Sequence, residues 1–192
     1  MDFRDKLFTW RSYTPLPFVL LMIVFAAPTP ASMAFGGMLA LIGEGMRFWG
    51  VAYAGSLTRV TGSVGAPALI VAGPFARVRN PLYIGNILLY VGVGVMSQAV
   101  WPWLPLVALV WFVVQYHLIV SREEEFLAKE FGEPYAEYRA NVPRFFVRLV
   151  PWMHASQAGQ RPSWPDAIRS ERRTLQAIVL VTAILFLIEW WT

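Results

Sequence analysis

Apolar residues gather in five runs along the chain, at about 16 to 27, 33 to 54, 82 to 100, 101 to 120 and 174 to 191. A helix crossing a bilayer needs about 20 predominantly apolar residues, so the second, fourth and fifth runs are comfortable spans and the third is adequate. The first run is short; it borrows Trp10 to Thr14 as an interfacial lead-in, with Pro15 and Pro17 limiting the regularity of that turn. The stretch from His154 to Arg173, carrying Gly159, Pro162, Ser163 and Pro165, reads as a polar linker into the last span. No internal repeat or low-complexity tract interrupts the pattern. It predicts an all-α, polytopic membrane protein: a single membrane domain over residues 1–192 with about five transmembrane helices and a cytoplasmic amphipathic helix.

The basic residues test this map, because cytoplasmic loops of membrane proteins collect Lys and Arg. Arg4, Lys6 and Arg11 precede the first run, and Arg59, Arg77 and Arg79 lie between the second and third. Lys129 and eight arginines lie between the fourth and fifth, whereas the alternate loops, Pro28 to Ser32 and Ser97 to Pro102, hold none. The segregation predicts a cytoplasmic N-terminus and places Trp190, Trp191 and Thr192 outside. The first run and Ser32-Met33-Ala34 superficially resemble a secretory signal, but the segment is read here as a retained span.

Composition agrees: 57% of the 192 residues are hydrophobic and 15% charged, with a mean hydropathy of +0.50. Nine Trp, seven Tyr and thirteen Phe suit two interfacial belts. The net charge of +4 points to anionic lipid headgroups as partners and not to nucleic acid, because the bases are separated by hydrophobic segments. Without cysteine there is no disulfide framework and no thiolate, and His117 and His154 are too few and too far apart to suggest a metal centre.

Three stations carry candidate chemistry. Glu44 and Arg47 sit midway along the second run, where each would cost about 2.5–3.5 kcal/mol at a bilayer centre. Their i, i+3 spacing puts them on one helix face, either as a mutual ion pair buried in the bundle or as part of a substrate site. Glu189, near the outer end of its span, can snorkel and is given no role.

The second station runs from Gly73 through Arg79-Asn80-Pro81 to Gly85. Pro81 suits the first position of a helix and Asn80 its cap, so the stretch is either a plain capped helix start or, with Arg79 beside open N–H groups, a carboxylate site. The third opens at Arg122-Glu123-Glu124-Glu125. Phe126, Leu127, Glu130 and Phe131 follow at helical spacing, an amphipathic continuation that Gly132 ends. Three consecutive acids form either a solvated face or a site for ribose hydroxyls or a sulfonium-bearing cofactor.

Taken together, Gly43-Glu44-Gly45-Met46-Arg47 with Ala54-Gly55-Ser56, then Arg79-Asn80-Pro81-x-Tyr83-x-Gly85, then Glu123-Glu124, Leu127, Phe131-Gly132, Tyr135, Tyr138 and Val142-Pro143 resemble the isoprenylcysteine carboxyl methyltransferase family. The resemblance, over residues 40 to 148, extends to the wider superfamily of small membrane methyltransferases that includes phospholipid N-methyltransferases. It implies an S-adenosylmethionine site on the cytoplasmic side, with Gly73 and Arg79 in the turn, and Asn80, Pro81, Tyr83, Glu123 and Glu124 holding the cofactor. Arg47 would lie near the reacting group of a lipophilic substrate entering sideways from the bilayer, with Glu44 beside it.

Two positions depart from the family pattern: Asn80 stands where the family has His, and Ile119 where the eukaryotic enzymes have a second substrate-side arginine. Arg122, one turn further along, is the candidate replacement. The final run lies beyond the family signature and reads as scaffold or oligomer contact.

The implied reaction is methyl transfer. Carboxyl O-methylation of an isoprenylcysteine-like acceptor would use Arg47 to keep the acid ionised, and N-methylation of a phosphatidylethanolamine-type amine would need a carboxylate base such as Glu44. The Arg-x-Pro-x-Tyr-x-Gly helix also resembles membrane sterol reductases, which bind a nicotinamide cofactor but are usually longer and lack the Glu-Glu pair. A non-enzymatic scaffold is the remaining alternative, in which Glu44 and Arg47 only pair. The identity of the acceptor and the oligomeric state are not encoded in these features.

Overall fold

The computed structural model describes residues 3–55 and 68–191. Ser56, Arg59 and Thr192, which carry part of the family pattern, part of the basic loop and the expected outer terminus, lie outside the described residues.

Seven α-helices and no strand occur among the described residues: α1 (Phe3–Trp10), α2 (Leu16–Val24), α3 (Pro30–Ala54), α4 (Pro81–Ser97), α5 (Trp103–Phe131), α6 (Glu133–Asn141) and α7 (Trp164–Trp191). The helix α3 begins three residues earlier than its apolar run because Thr29 and Ser32 form a reciprocal capping box, with Pro30 in the first turn. The Ser32 hydroxyl also donates to the Met96 carbonyl (3.1 Å), tying the start of α3 to the end of α4.

From there the two helices run antiparallel, and their contact is made by backbone. A Cβ on Gly36 would lie 2.4 Å from the Gly92 carbonyl oxygen, and one on Gly43 would lie 2.6 Å from that of Gly85. Such approach is the small-residue packing that membrane helices use where no hydrophobic force distinguishes a neighbour from lipid.

Two helices, α5 and α7, are long and apolar enough to cross a membrane. Only 6% of the most apolar 18-residue window of α7 is buried, so its side chains face outward, unlike those of a soluble protein's core helix. The helix α4 is apolar but has 17 residues, and α3 has the length but carries Glu44 and Arg47.

Sequence and structure differ most at the first run. Its helix, α2, has nine residues, about 14 Å, too short to cross a bilayer as a helix. Proline bounds it on both sides: Pro15 and Pro17 at its start, and Pro28 and Pro30 beyond its end. The segment nonetheless covers ground, since the Ala27 N–H donates to the Ser97 carbonyl at the far end of α4 (2.8 Å). A core of Phe8, Met22, Val93, Phe112, Tyr116 and Ile119 packs α1 and α2 against α4 and α5.

As expected, α5 continues unbroken from the apolar run through the acidic cluster, and Gly132, with φ +56°, ends it. Beyond it, α6 buries Tyr135 and Tyr138 against Val71 and Val142, and the Tyr138 hydroxyl donates to the Phe75 carbonyl (2.8 Å). The last helix begins at Trp164, ten residues before its apolar run, so half of the expected linker is helical. Trp164 stacks on Phe48 at 5.8 Å, and Ala167 is buried against Val51 and Ala52, which seats the first turns of α7 on α3.

Two glycines on one helix separate packing from propensity. Gly43→Ala should destabilise the protein by about 1–3 kcal/mol, because its methyl meets α4 backbone. Gly45→Ala, with nothing within 4 Å, should be neutral or slightly stabilising. Thermal unfolding in detergent measures both; equal shifts would remove the backbone contact as the organising feature.

Candidate active site

A cavity of about 750 Å³ lies where the C-terminal ends of α3 and α5 and the N-terminal ends of α4 and α7 meet α6 and the segment before α4. It has two polar regions. In the first, Arg79 donates to Glu124 Oε1 from Nε (3.0 Å) and Nη2 (2.7 Å), and Arg144 bonds the other oxygen, Oε2. Glu124 is buried, and two guanidiniums bond its two oxygens and more than neutralise it. Beside it the Tyr83 hydroxyl donates to Glu123 Oε1 (2.7 Å), linking α4 to α5.

Asn80 occupies the N-cap position of α4, but its side chain makes no cap bond; Nδ2 donates instead to the Arg144 carbonyl (3.2 Å). The capping role expected from sequence is therefore not the one it plays. The first N–H groups of α4 keep no side-chain acceptor, which suits a ligand carboxylate.

The second region centres on Arg47. Its Nε donates to Glu44 Oε2 (3.2 Å), Nη2 to Glu171 Oε2 (2.6 Å), and Nη1 to Asn86 Oδ1. The i, i+3 pair expected from sequence thus exists, but the shorter bond goes to a residue of α7. Arg47, Asn86 and Glu171 line the cavity, and Glu44 supports Arg47 from behind. Two carboxylates thus bond one guanidinium, Glu171 from the cavity wall and Glu44 from the same helix.

Of the residues singled out from sequence, Arg47, Arg79, Asn80, Pro81, Tyr83, Glu123 and Glu124 line this one cavity. Glu44 stands behind Arg47, and two residues lie elsewhere. Arg122 points to the opposite face of α5, pairing with Asp5 (2.9 Å) and Glu125 (3.5 Å), and so fastens α1 instead of replacing the missing substrate-side arginine. Gly73 is not in the lining; with φ +62° it turns the chain beneath the Tyr53 ring, where a side chain would collide.

Glu171, Asn86, Arg144 and Tyr135 were not anticipated. Asn86 was legible as the polar residue one turn after Tyr83 in an apolar helix. Glu171 is the lone acid among Arg169, Arg172 and Arg173, hidden by linker-like composition upstream. Tyr135 lines the cavity, and its hydroxyl is buried without a hydrogen-bond partner. Burial pushes its pKa up to about 12, so the hydroxyl remains a protonated donor at neutral pH.

Residues 31–134 match the phospholipid methyltransferase family, and the chain belongs to it. This is the family that includes the isoprenylcysteine carboxyl methyltransferases. The chain is 28% identical over 153 residues to the cobalt-zinc-cadmium resistance protein CzcN of Cupriavidus metallidurans, an alignment covering 76% of this chain and 65% of that protein. It is 31% identical over 81 residues to the nickel-cobalt-cadmium resistance protein NccN of Alcaligenes xylosoxydans xylosoxydans, covering 42% of this chain and 37% of that protein. No solved structure matches the chain significantly.

The ion pairs rank the residues by cost of removal. Arg47→Ala should destabilise the protein by about 3–5 kcal/mol, since it removes the buried cation that bonds two buried carboxylates. Glu171→Ala should cost less, because Glu44 still neutralises the guanidinium, and Arg122→Ala, in an exposed cluster, should leave stability unchanged. Denaturant titration in detergent measures the order; a reversal of the first two would show that Arg47 is not the centre of the cluster.

Proposed function

We propose that this chain is an S-adenosylmethionine-dependent methyltransferase whose lipophilic acceptor reaches the cavity from the bilayer. The reading is carried by one observation: the helix-start region and the Arg47 cluster, from separate parts of the sequence, open into one cavity. The residues fit the cofactor. The uncapped start of α4 suits its carboxylate, Glu123 is an acceptor for ribose hydroxyls or its ammonium, and the unpartnered Tyr135 hydroxyl is a spare donor. When bound, the cofactor supplies a methyl group on a positively charged sulfur. The cavity volume falls within the range of small-molecule sites.

Five crossings with the cavity on the cytoplasmic side remain the topology we favour. Arg11 and Ser12 line the cavity and Ala27 reaches the far end of α4, so the first segment traverses the bundle although only its middle, α2, is helical. Arg79, Arg144 and Arg173 all lie at the cavity end, where a positive-inside bias would put them.

The acceptor that the Arg47 cluster suits best is an amine, of the phosphatidylethanolamine type. An acceptor carboxylate would meet a guanidinium already held by Glu44, Glu171 and Asn86, and would add a third anion around one cation. An ammonium headgroup finds instead a carboxylate in the cavity wall, that of Glu171. Glu171, the cluster's carboxylate that lines the cavity, can then take the proton that must leave nitrogen before it attacks. Arg47 and Asn86 hold that machinery in place, and the glycine contact of α3 with α4 keeps the wall dry. Carboxyl O-methylation of an isoprenylcysteine-like acceptor is the second reading, favoured by the family pattern around Arg47 and by the presence of that guanidinium in the lining.

Vesicles containing the protein, given methyl-tritiated S-adenosylmethionine with phosphatidylethanolamine or a prenylated cysteine, separate these readings. Label in the lipid that withstands mild base is expected, falling about 10²–10⁴-fold in Glu171→Gln. Label released as methanol by base would identify a methyl ester instead, and no transfer to either lipid would overturn the methyltransferase reading.

A further inference from the structure

The segment between α6 and α7 holds an exposed apolar surface that the methyl-transfer reading does not use. Phe146 is 84% exposed, Leu149 91%, Val150 70% and Met153 78%, all in irregular chain outside the long helices. Four such side chains within eight residues would be a liability in water.

Their exposure is not that of a loose loop, because backbone bonds hold the segment from behind. The Arg79 N–H donates to the Pro143 carbonyl (2.9 Å), that of Arg148 to Arg77 (3.0 Å), and that of Trp152 to Ala76 (2.8 Å), while the Arg77 guanidinium caps the Arg148 and Leu149 carbonyls. The apolar side chains are thus carried on an anchored backbone.

Charge and depth indicate what that face meets. From Arg139 to Met153 there are three arginines and no acid. Arg144 is paired with Glu124, and Arg148, which gives one N–H to the Asn141 carbonyl and keeps the rest of its guanidinium, is flanked by the apolar residues in Phe145-Phe146-Val147-Arg148-Leu149. Phe145 lies against His117 of α5, with ring centroids 6.4 Å apart, so the segment sits beside the last turn of that helix's apolar stretch. That is the level of a headgroup layer, where apolar rings and snorkelling arginines are both accommodated and irregular backbone can still reach water.

We propose that residues 145–153 form a membrane-docking loop, with Phe146, Leu149, Val150 and Met153 inserted into the headgroup boundary of an anionic leaflet and Arg148 on its phosphates. Arg144, the residue immediately before this loop, holds Asn80 with its carbonyl and Glu124 with its guanidinium. Docking therefore fastens one wall of the cavity to the lipid surface from which the acceptor comes. The inference uses the bilayer reading of the helices and is independent of methyl transfer.

The chain has no cysteine, so Phe146→Cys and Leu149→Cys each give a unique site for an environment-sensitive fluorophore. Glu133→Cys, exposed past the end of α5, gives an aqueous comparison. In nanodiscs of phosphatidylethanolamine and phosphatidylglycerol, nitroxide-bearing lipid should quench the labels at 146 and 149 severalfold more than the label at 133, with the opposite order for aqueous iodide. Iodide quenching at 146 and 149 equal to that at 133 would overturn the proposal. So would protection from both quenchers, which would mean that protein covers the loop.

Discussion

The structure depends on α3 and α4 touching through their backbones. Lipid offers no solvent penalty to drive helices together, so two apolar helices associate only where surfaces fit closely enough for dispersion and polar bonds to act. Gly36, Gly43, Gly85 and Gly92 remove the side chains that would hold these helices apart. One turn beyond the Gly43–Gly85 contact, the same closeness brings Arg47 against Asn86 across the interface. A wider spacing would take Asn86 out of reach of that guanidinium.

The second consequence is electrostatic. Burying Arg47, Glu44 and Glu171 is costly, and their mutual bonding, which offsets that cost, requires α7 to lean its first turns onto α3. The final helix is therefore part of the site and not an appended span. The Arg79–Glu124–Arg144 network does the same for the C-terminal segments, drawing α6 and the loop that follows it over the start of α4. Two buried carboxylates on different helices thus organise the two ends of one cavity.

Much of this was legible. The cavity residues Arg47, Asn80, Tyr83, Glu123 and Glu124 stood out because charge or a helix-start signal interrupts apolar sequence, and such interruptions are expensive unless used. The continuous α5 and its stop at Gly132 followed from helical spacing and a residue that tolerates positive φ. Other features needed tertiary information. Glu171 sits in a stretch whose Pro, Ser and Arg content resembles a linker, and only its bond to Arg47 distinguishes it from a solvated acid. Arg122 differs from Glu123 by one position, about 100° around the helix, which decides between the α1 contact and the cavity. The short α2 reflects proline bracketing, which hydropathy does not weigh.

The central claim is that these helix ends enclose a site for a methyl donor, and binding of the demethylated cofactor tests it without reference to any acceptor. Calorimetric titration of S-adenosylhomocysteine into folded, monodisperse protein in detergent should give saturable heat with one site per chain. The absence of heat from protein verified as folded would contradict the account.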